Sequence, residues 1–218
     1  MSSLYHAMAL GVIGYASSMA RWEPDADGRL REAAMASFEA RGYAETTVAD
    51  IARAAGLTKR TFFRHFADKR EVLFAGSDAL QAELVAAVEA APAEAGPFEA
   101  AVSGLDALAV FFQDRREFSV RRQRVIESSP ELRERELIKR ERLVEAIAHA
   151  LRERGSEDPA ASLAAQAAIA IFHVAFMRWV STEHRETFLE QLREARETLA
   201  TFVPLAAKAT RGRSHSAV

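Results

Sequence analysis

The chain contains no cysteine among its 218 residues. That excludes disulfides, thiolate metal sites and a cysteine nucleophile, and it suits a reducing, cytoplasmic setting. Glycine (10) and proline (6) are scarce, and no stretch alternates apolar and polar residues as a half-buried strand would. Neither sign of charge dominates. With a formal net charge of -2 the molecule is no polycation, so any nucleic-acid site must rest on local charge. Also missing are a paired Glu-x-x-His, a His-Glu-x-x-His, a phosphate loop and a nucleophile elbow. Their absence argues against an all-α enzyme, and no metal or cofactor site is expected.

What is present is a succession of helical patterns divided by breakers. Residues 28–41 carry Leu30, Ala34 and Phe38 at a spacing of four, with Asp27 the expected N-cap and Gly42 the stop. A short helix is expected over 47–54, where Thr47 and Asp50 have capping-box spacing, and Gly56 ends it. Thr58 caps a third helix reaching about Phe66. Asp68 and Glu71 open a long fourth one toward Glu89. After the break "PAEAGP", helices are expected over 98–114, 117–128, 130–154, 160–181 and 184–202. The fold class is therefore all-α. Residues 4–20 ("LYHAMALGVIGYASSMA") are apolar but lack a basic leader region and are short for a membrane span. Residues 1–20 are expected to be an extension, disordered or docked as an extra helix. Residues 208–218 form a basic tail.

The most informative segment is "LTKRTFFRHFADK", residues 57–69. On a helix at about 100° per residue, Phe62 and Phe66 share one side and Arg60 and Arg64 the other. A short helix, a glycine turn and a Thr cap precede it, which is helix-turn-helix punctuation. Residues 51–70 hold six Lys and Arg against one acid, a local excess of five positive charges. Such a patch attracts phosphate, and Arg can fork onto guanine. The helix N-termini near Thr47, Thr58 and Lys69 offer amides to phosphates. The alternative is an ordinary solvated helical face.

Residues 42–73, "GYAETTVADIARAAGLTKRTFFRHFADKREVL", closely resemble the DNA-binding signature of TetR-family transcriptional regulators. The matching positions are Thr47, Ile51, Ala52, Ala55, Gly56, Thr58, Phe62, Phe66 and Lys69. The resemblance implies a three-helix DNA-binding domain (21–75) followed by a helical effector-binding and dimerisation domain (76–207). It implies that Thr47, Phe63, His65 and Lys69 hold the DNA backbone, while Lys59, Arg60, Thr61 and Arg64 lie nearest the base edges, with Thr58 capping that helix. One position departs from the pattern. Phe63 stands where the family usually has Tyr, so a hydroxyl bond to phosphate is lost and only apolar contact remains.

Residues 160–180 are apolar nearly all round, which implies burial on more than one side. Phe188, Leu192, Ala195, Leu199 and Phe202 form a heptad-like seam, expected as a homodimer interface, with the chain's own core as the alternative cover. The family implies an effector pocket, for which Phe111, Phe112, Phe118, Phe172, His173 and Phe176 are candidates; residues so spaced also make plain core. Within the charged stretch 115–142, Glu131–Arg135 and Glu136–Arg140 have i,i+4 spacing and are expected to pair on a solvated face. The function expected is a ligand-responsive DNA-binding regulator, a repressor released from a near-palindromic operator by a small hydrophobic effector of unknown identity. The alternative is a dimeric DNA-binding protein controlled by a protein partner or by abundance.

Overall fold

The first helix starts two residues before its pattern predicts. In the computed structural model, which describes residues 25–112, 114–181 and 186–211, α1 runs Ala26–Arg41. Its cap is Asp25, whose carboxylate accepts the Gly28 amide at 2.7 Å; Asp27 lies in the first turn and pairs with Arg31 instead. Gly42 ends the helix at φ +82°. α2 (Val48–Ala54) carries the expected capping box: Thr47 Oγ1 accepts the Asp50 amide and Asp50 accepts the Thr47 amide. α3 (Lys59–His65) opens on Thr58, which accepts the Thr61 amide at 3.1 Å.

Between α2 and α3 the Gly56 amide reaches Arg53 O and the Leu57 amide reaches Ala52 O, at 3.0 and 2.8 Å. This is a Schellman turn, and it requires the left-handed φ of +68° that Gly56 adopts. Gly56→Ala is expected to cost about 1–2 kcal/mol from that φ alone. The added Cβ would also meet Arg29 Nη2 at 2.9 Å. A urea melt checks this, and an unchanged midpoint would refute it.

The expected long fourth helix is two helices, α4 (Glu71–Phe74) and α5 (Ser77–Glu89). Gly76, at φ +93°, breaks them apart, and the Ser77 hydroxyl donates to Phe74 O at 2.6 Å. Asp68 accepts the Arg70 and Glu71 amides, but the reciprocal half of the expected capping box is absent among the described residues, because the Glu71 carboxylate takes Arg135 instead. The remaining helices are α6 (Pro97–Phe112), α7 (Arg116–Glu127), α8 (Pro130–Glu153), α9 (Ala160–Val180) and α10 (Phe188–Arg211). There is no strand among the described residues. Residues 1–20, the expected helix start at His184, and residues 212–218 of the tail lie outside the described residues.

Two apolar cores result. One gathers Leu30, Phe38, Ile51, Phe62, Phe66 and Phe74 from α1–α4 and their turns. It also takes Val125, Ile126 and Leu132 from α7 and α8, so the helix-turn-helix end is built on the body of the molecule. The other core gathers α5, α6, α8, α9 and α10 around Leu105, Ile147, Leu151, Ala168 and Trp179. α9 is long and apolar enough to cross a membrane, but 44% of its most apolar window is buried against neighbouring helices of the same chain.

The expected i,i+4 pairs on α8 give way to longer-range partners. Glu131 takes Arg70 and the Tyr43 hydroxyl, Arg135 takes Glu71, and Glu136 takes Arg122. On α7, Arg121 forks onto Glu32 and Glu39 of α1. Partly exposed ion pairs add roughly 0–1 kcal/mol each, so these bridges chiefly set how the helix-turn-helix end sits on α7 and α8. A carboxylate one helical turn away loses to one across an interface when packing brings the second to a desolvated fork.

Candidate functional site

α3 separates its residues as its helical spacing predicts. Phe62 and Phe66 are buried with ring centroids 5.5 Å apart, and they anchor α3 to α1 and α2. Arg60 and Arg64 are exposed on the opposite face, and Lys59 and His65 are exposed beside the buried one. No carboxylate among the described residues pairs with Lys59, Arg60 or Arg64, so their donors point to solvent unengaged. Phe63 is 55% exposed and stacks edge-on against Phe62. An aromatic ring held in water beside three cations suits contact with sugar, phosphate or a thymine methyl.

Two further residues of the set act on the fold itself. Thr47 and Thr58 use their hydroxyls as caps; Thr58 and Thr61 also share a hydrogen bond of 2.9 Å. The Thr47 cap holds the Asp50 carboxyl below the usual carboxylate range, chiefly through the hydroxyl bond. Lys69 is engaged inside the protein. Its Nζ donates to Tyr43 O, Ala44 O and Thr46 O at 2.8, 3.3 and 3.0 Å, and lies 4.2 Å from the centre of the Tyr43 ring. All three ammonium protons are thereby engaged. Lys69 fixes the loop that delivers Thr47 and the N-terminus of α2, a role that its place in the basic run did not reveal.

The second feature is a cavity of about 180 Å³. All six candidate effector residues, Phe111, Phe112, Phe118, Phe172, His173 and Phe176, line it. Phe112 stands at the centre of an aromatic cluster, its ring 5.6 Å from Phe176, 6.0 Å from Phe172 and 5.2 Å from Phe188. The His173 imidazole is held below its ordinary range by desolvation and then by Arg140, with Glu136 opposing. It is therefore neutral near pH 7. What the sequence did not reveal is the rest of the wall. Leu73, Ala75, Gly76 and Ser77, the junction of α4 and α5, close one side. Arg122 of α7 and Lys139 of α8 reach toward that junction. Arg122 donates to Leu73 O at 2.7 Å and to Glu136 at 2.8 Å, and lies over the Phe74 ring.

The seam of α10 is mostly turned inward. Phe188 and Leu192 are buried in the chain's own core, and Ala195 and Leu199 pack against it; only Phe202, 59% exposed, faces solvent. The outward apolar residues of α9 are Leu163 and Val174, 65% and 50% exposed. A heptad spacing locates an apolar face but not the chain that covers it.

Comparison with known proteins places these features in context. Residues 30–75 match the tetR family of bacterial regulatory proteins, and residues 95–204, half of the chain, match the MftR C-terminal domain. The HTH-type transcriptional regulator TcmR of Streptomyces glaucescens is 45% identical over 74 residues, which are 34% of this chain and 32% of that protein. The matched segment thus spans about a third of that relative's length. Among solved structures, Thermus thermophilus FadR, a TetR-family repressor in complex with lauroyl-CoA, is 25% identical with a TM-score of 0.52, over 80% of this chain and 93% of that one. A complex of SmeT with triclosan shares the fold at 18% identity and a TM-score of 0.59, over 80% and 90% of the two chains.

Proposed function

The chain belongs to the TetR family of bacterial regulatory proteins and is a DNA-binding transcriptional regulator, and on that premise we propose that it is a cytoplasmic repressor released from a near-palindromic operator by a small apolar effector. The observation that carries this reading is the shared wall. The junction of α4 and α5 is at once the end of the DNA-reading unit and one side of the aromatic cavity. A ligand that seats against Phe111, Phe172 and Phe176 meets the segment that holds α1–α4 in place. For such a ligand to release DNA it must bind the released arrangement more tightly than the DNA-bound one. The likeness to a repressor solved with lauroyl-CoA supports an effector with a substantial apolar part.

In this reading α3 enters the major groove. Lys59, Arg60, Thr61 and Arg64 lie nearest the base edges, Phe63 and His65 meet the backbone, and Thr47 and Thr58 present helix N-termini to phosphates. Regulators of this family form dimers, which set two recognition helices about one DNA turn apart. The exposed residues Leu163, Val174 and Phe202 are the face we assign to that contact. α9 and α10 pack along each other, with Arg178 bonded to Glu194. The double substitution Leu163→Glu/Val174→Glu is expected to yield a folded monomer with at least about tenfold weaker operator binding. Sedimentation that still shows a dimer would reject this face.

The test of the function begins with selection of genomic fragments by the purified protein at about physiological salt. Recovery of a few near-palindromic sequences, released by cell-extract small molecules, is the expected result. Release by no small molecule would favour control by a protein partner or by abundance.

A further inference from the structure

The charges around the cavity do not balance. Its lining holds two carboxylates, Asp78 and Glu136, and both are occupied: Glu136 by Arg122 and Asp78 by Lys139, at 2.8 and 3.6 Å. Arg31, also on the lining, pairs with Asp27. Arg115, Arg140 and Arg142 remain, and no carboxylate among the described residues pairs with any of them. Arg115 lies over the face of Phe111, 4.1 Å from its centre, so one guanidinium sits directly on an apolar wall. Arg140 is half-buried on α8, one turn from Glu136, which turns to Arg122 instead. A chain of net charge -2 thus carries three uncompensated positive charges at the rim of its aromatic cavity.

We infer that the effector is an anionic amphiphile, with an apolar segment among the phenylalanines and a phosphate or carboxylate group at Arg115, Arg140 and Arg142. This inference rests on the reading of the cavity as the effector site and gives that effector its chemistry. Clefts edged by one sign of charge concentrate ligands of the other. Guanidinium groups match the oxygen pairs of phosphate and carboxylate. A neutral apolar ligand would leave all three without a partner.

The test is calorimetric titration of the full-length protein with ten-carbon probes: decyl phosphate, decanoate and 1-decanol, with inorganic phosphate alone as a fourth arm. Decyl phosphate and decanoate are expected to bind about tenfold or more tightly than decanol, and inorganic phosphate far more weakly than decyl phosphate. In Arg140→Gln/Arg142→Gln the preference for anions is expected to fall to about twofold, with decanol binding unchanged. Raising salt on the wild-type protein is expected to narrow the preference too, a readout that needs no variant. Decanol binding as tightly as the anions, inorganic phosphate matching decyl phosphate, a preference that survives the double substitution or high salt, or no binding of any probe would each overturn the inference. Release of selected DNA is scored separately. Anion binding without release leaves the ligand class standing and removes the ligand-responsive reading. The ratio of decyl phosphate to decanoate affinity tells which head group the rim prefers.

Discussion

Replacing Arg60 and Arg64 together by Ala is expected to abolish operator recognition while leaving the protein as stable as before. Both side chains are exposed on the outward face of α3, and neither has a carboxylate partner among the described residues. Nothing in the fold leans on them. Each bidentate contact from Arg to guanine contributes about 1–3 kcal/mol of base discrimination. Losing two amounts to about 2–6 kcal/mol, roughly thirtyfold to twenty-thousandfold in affinity for the selected fragment. Scrambled DNA is expected to lose far less, through phosphate attraction alone. Fluorescence anisotropy on the two DNAs measures the difference, and a thermal melt checks the fold. Equal loss on both sequences would mean that these residues only attract backbone, and that recognition lies elsewhere.

Lys69→Met makes the opposite trade. The family resemblance assigns Lys69 to the DNA backbone, yet in the free protein its ammonium ties three carbonyls of the loop between α1 and α2. Hydrogen bonds from a charged donor contribute about 1.5–3 kcal/mol each. The Ala44 carbonyl can regain water in the variant because that residue is exposed. A net loss of about 3–6 kcal/mol is expected from the bonds to Tyr43 and Thr46. Binding to every DNA is expected to weaken alike, because a loosened loop misplaces Thr47 and the start of α2 without touching base readers. Urea melts and anisotropy on operator and scrambled fragments separate the possibilities. A variant that keeps its stability and still loses DNA would return Lys69 to the role of a direct phosphate contact.

Much of the reading end was legible because its signals are local. Thr47, Gly56 and Thr58 are cap and turn residues whose chemistry acts within three or four positions, and the inward set of Phe62 and Phe66 follows from helical periodicity alone. The misses share a cause, since each depends on partners distant in sequence. Gly76 within an apolar helical pattern gave no sign that the helix breaks there. Glu131, Arg135 and Glu136 had good neighbours one turn away and found better ones on other helices. Phe188 and Leu192 formed a seam that packing assigned to the chain's own interior. The six aromatic and histidine candidates for the cavity could be named from composition and the family resemblance. The cationic rim could not, because those arginines sit in a stretch of both signs whose pairing only the fold decides.

α4 is a single turn of helix, Glu71–Phe74, broken from α5 at Gly76. A helix that short has no stability of its own in water. Its position is therefore inherited from its tethers: Arg135 on Glu71 and Arg122 on Leu73 O and Phe74. The connection between cavity and DNA-reading end then behaves less like a rigid rod than like a joint whose stiffness is set by the burial of Val72, Leu73 and Phe74 and by two guanidinium groups. Sensitivity to ligand becomes a property that can drift or be engineered independently of which ligand binds and which sequence is read. Substitution of Arg135, which holds Glu71 from outside the cavity lining, would change the threshold of the response and leave its inputs and outputs alone.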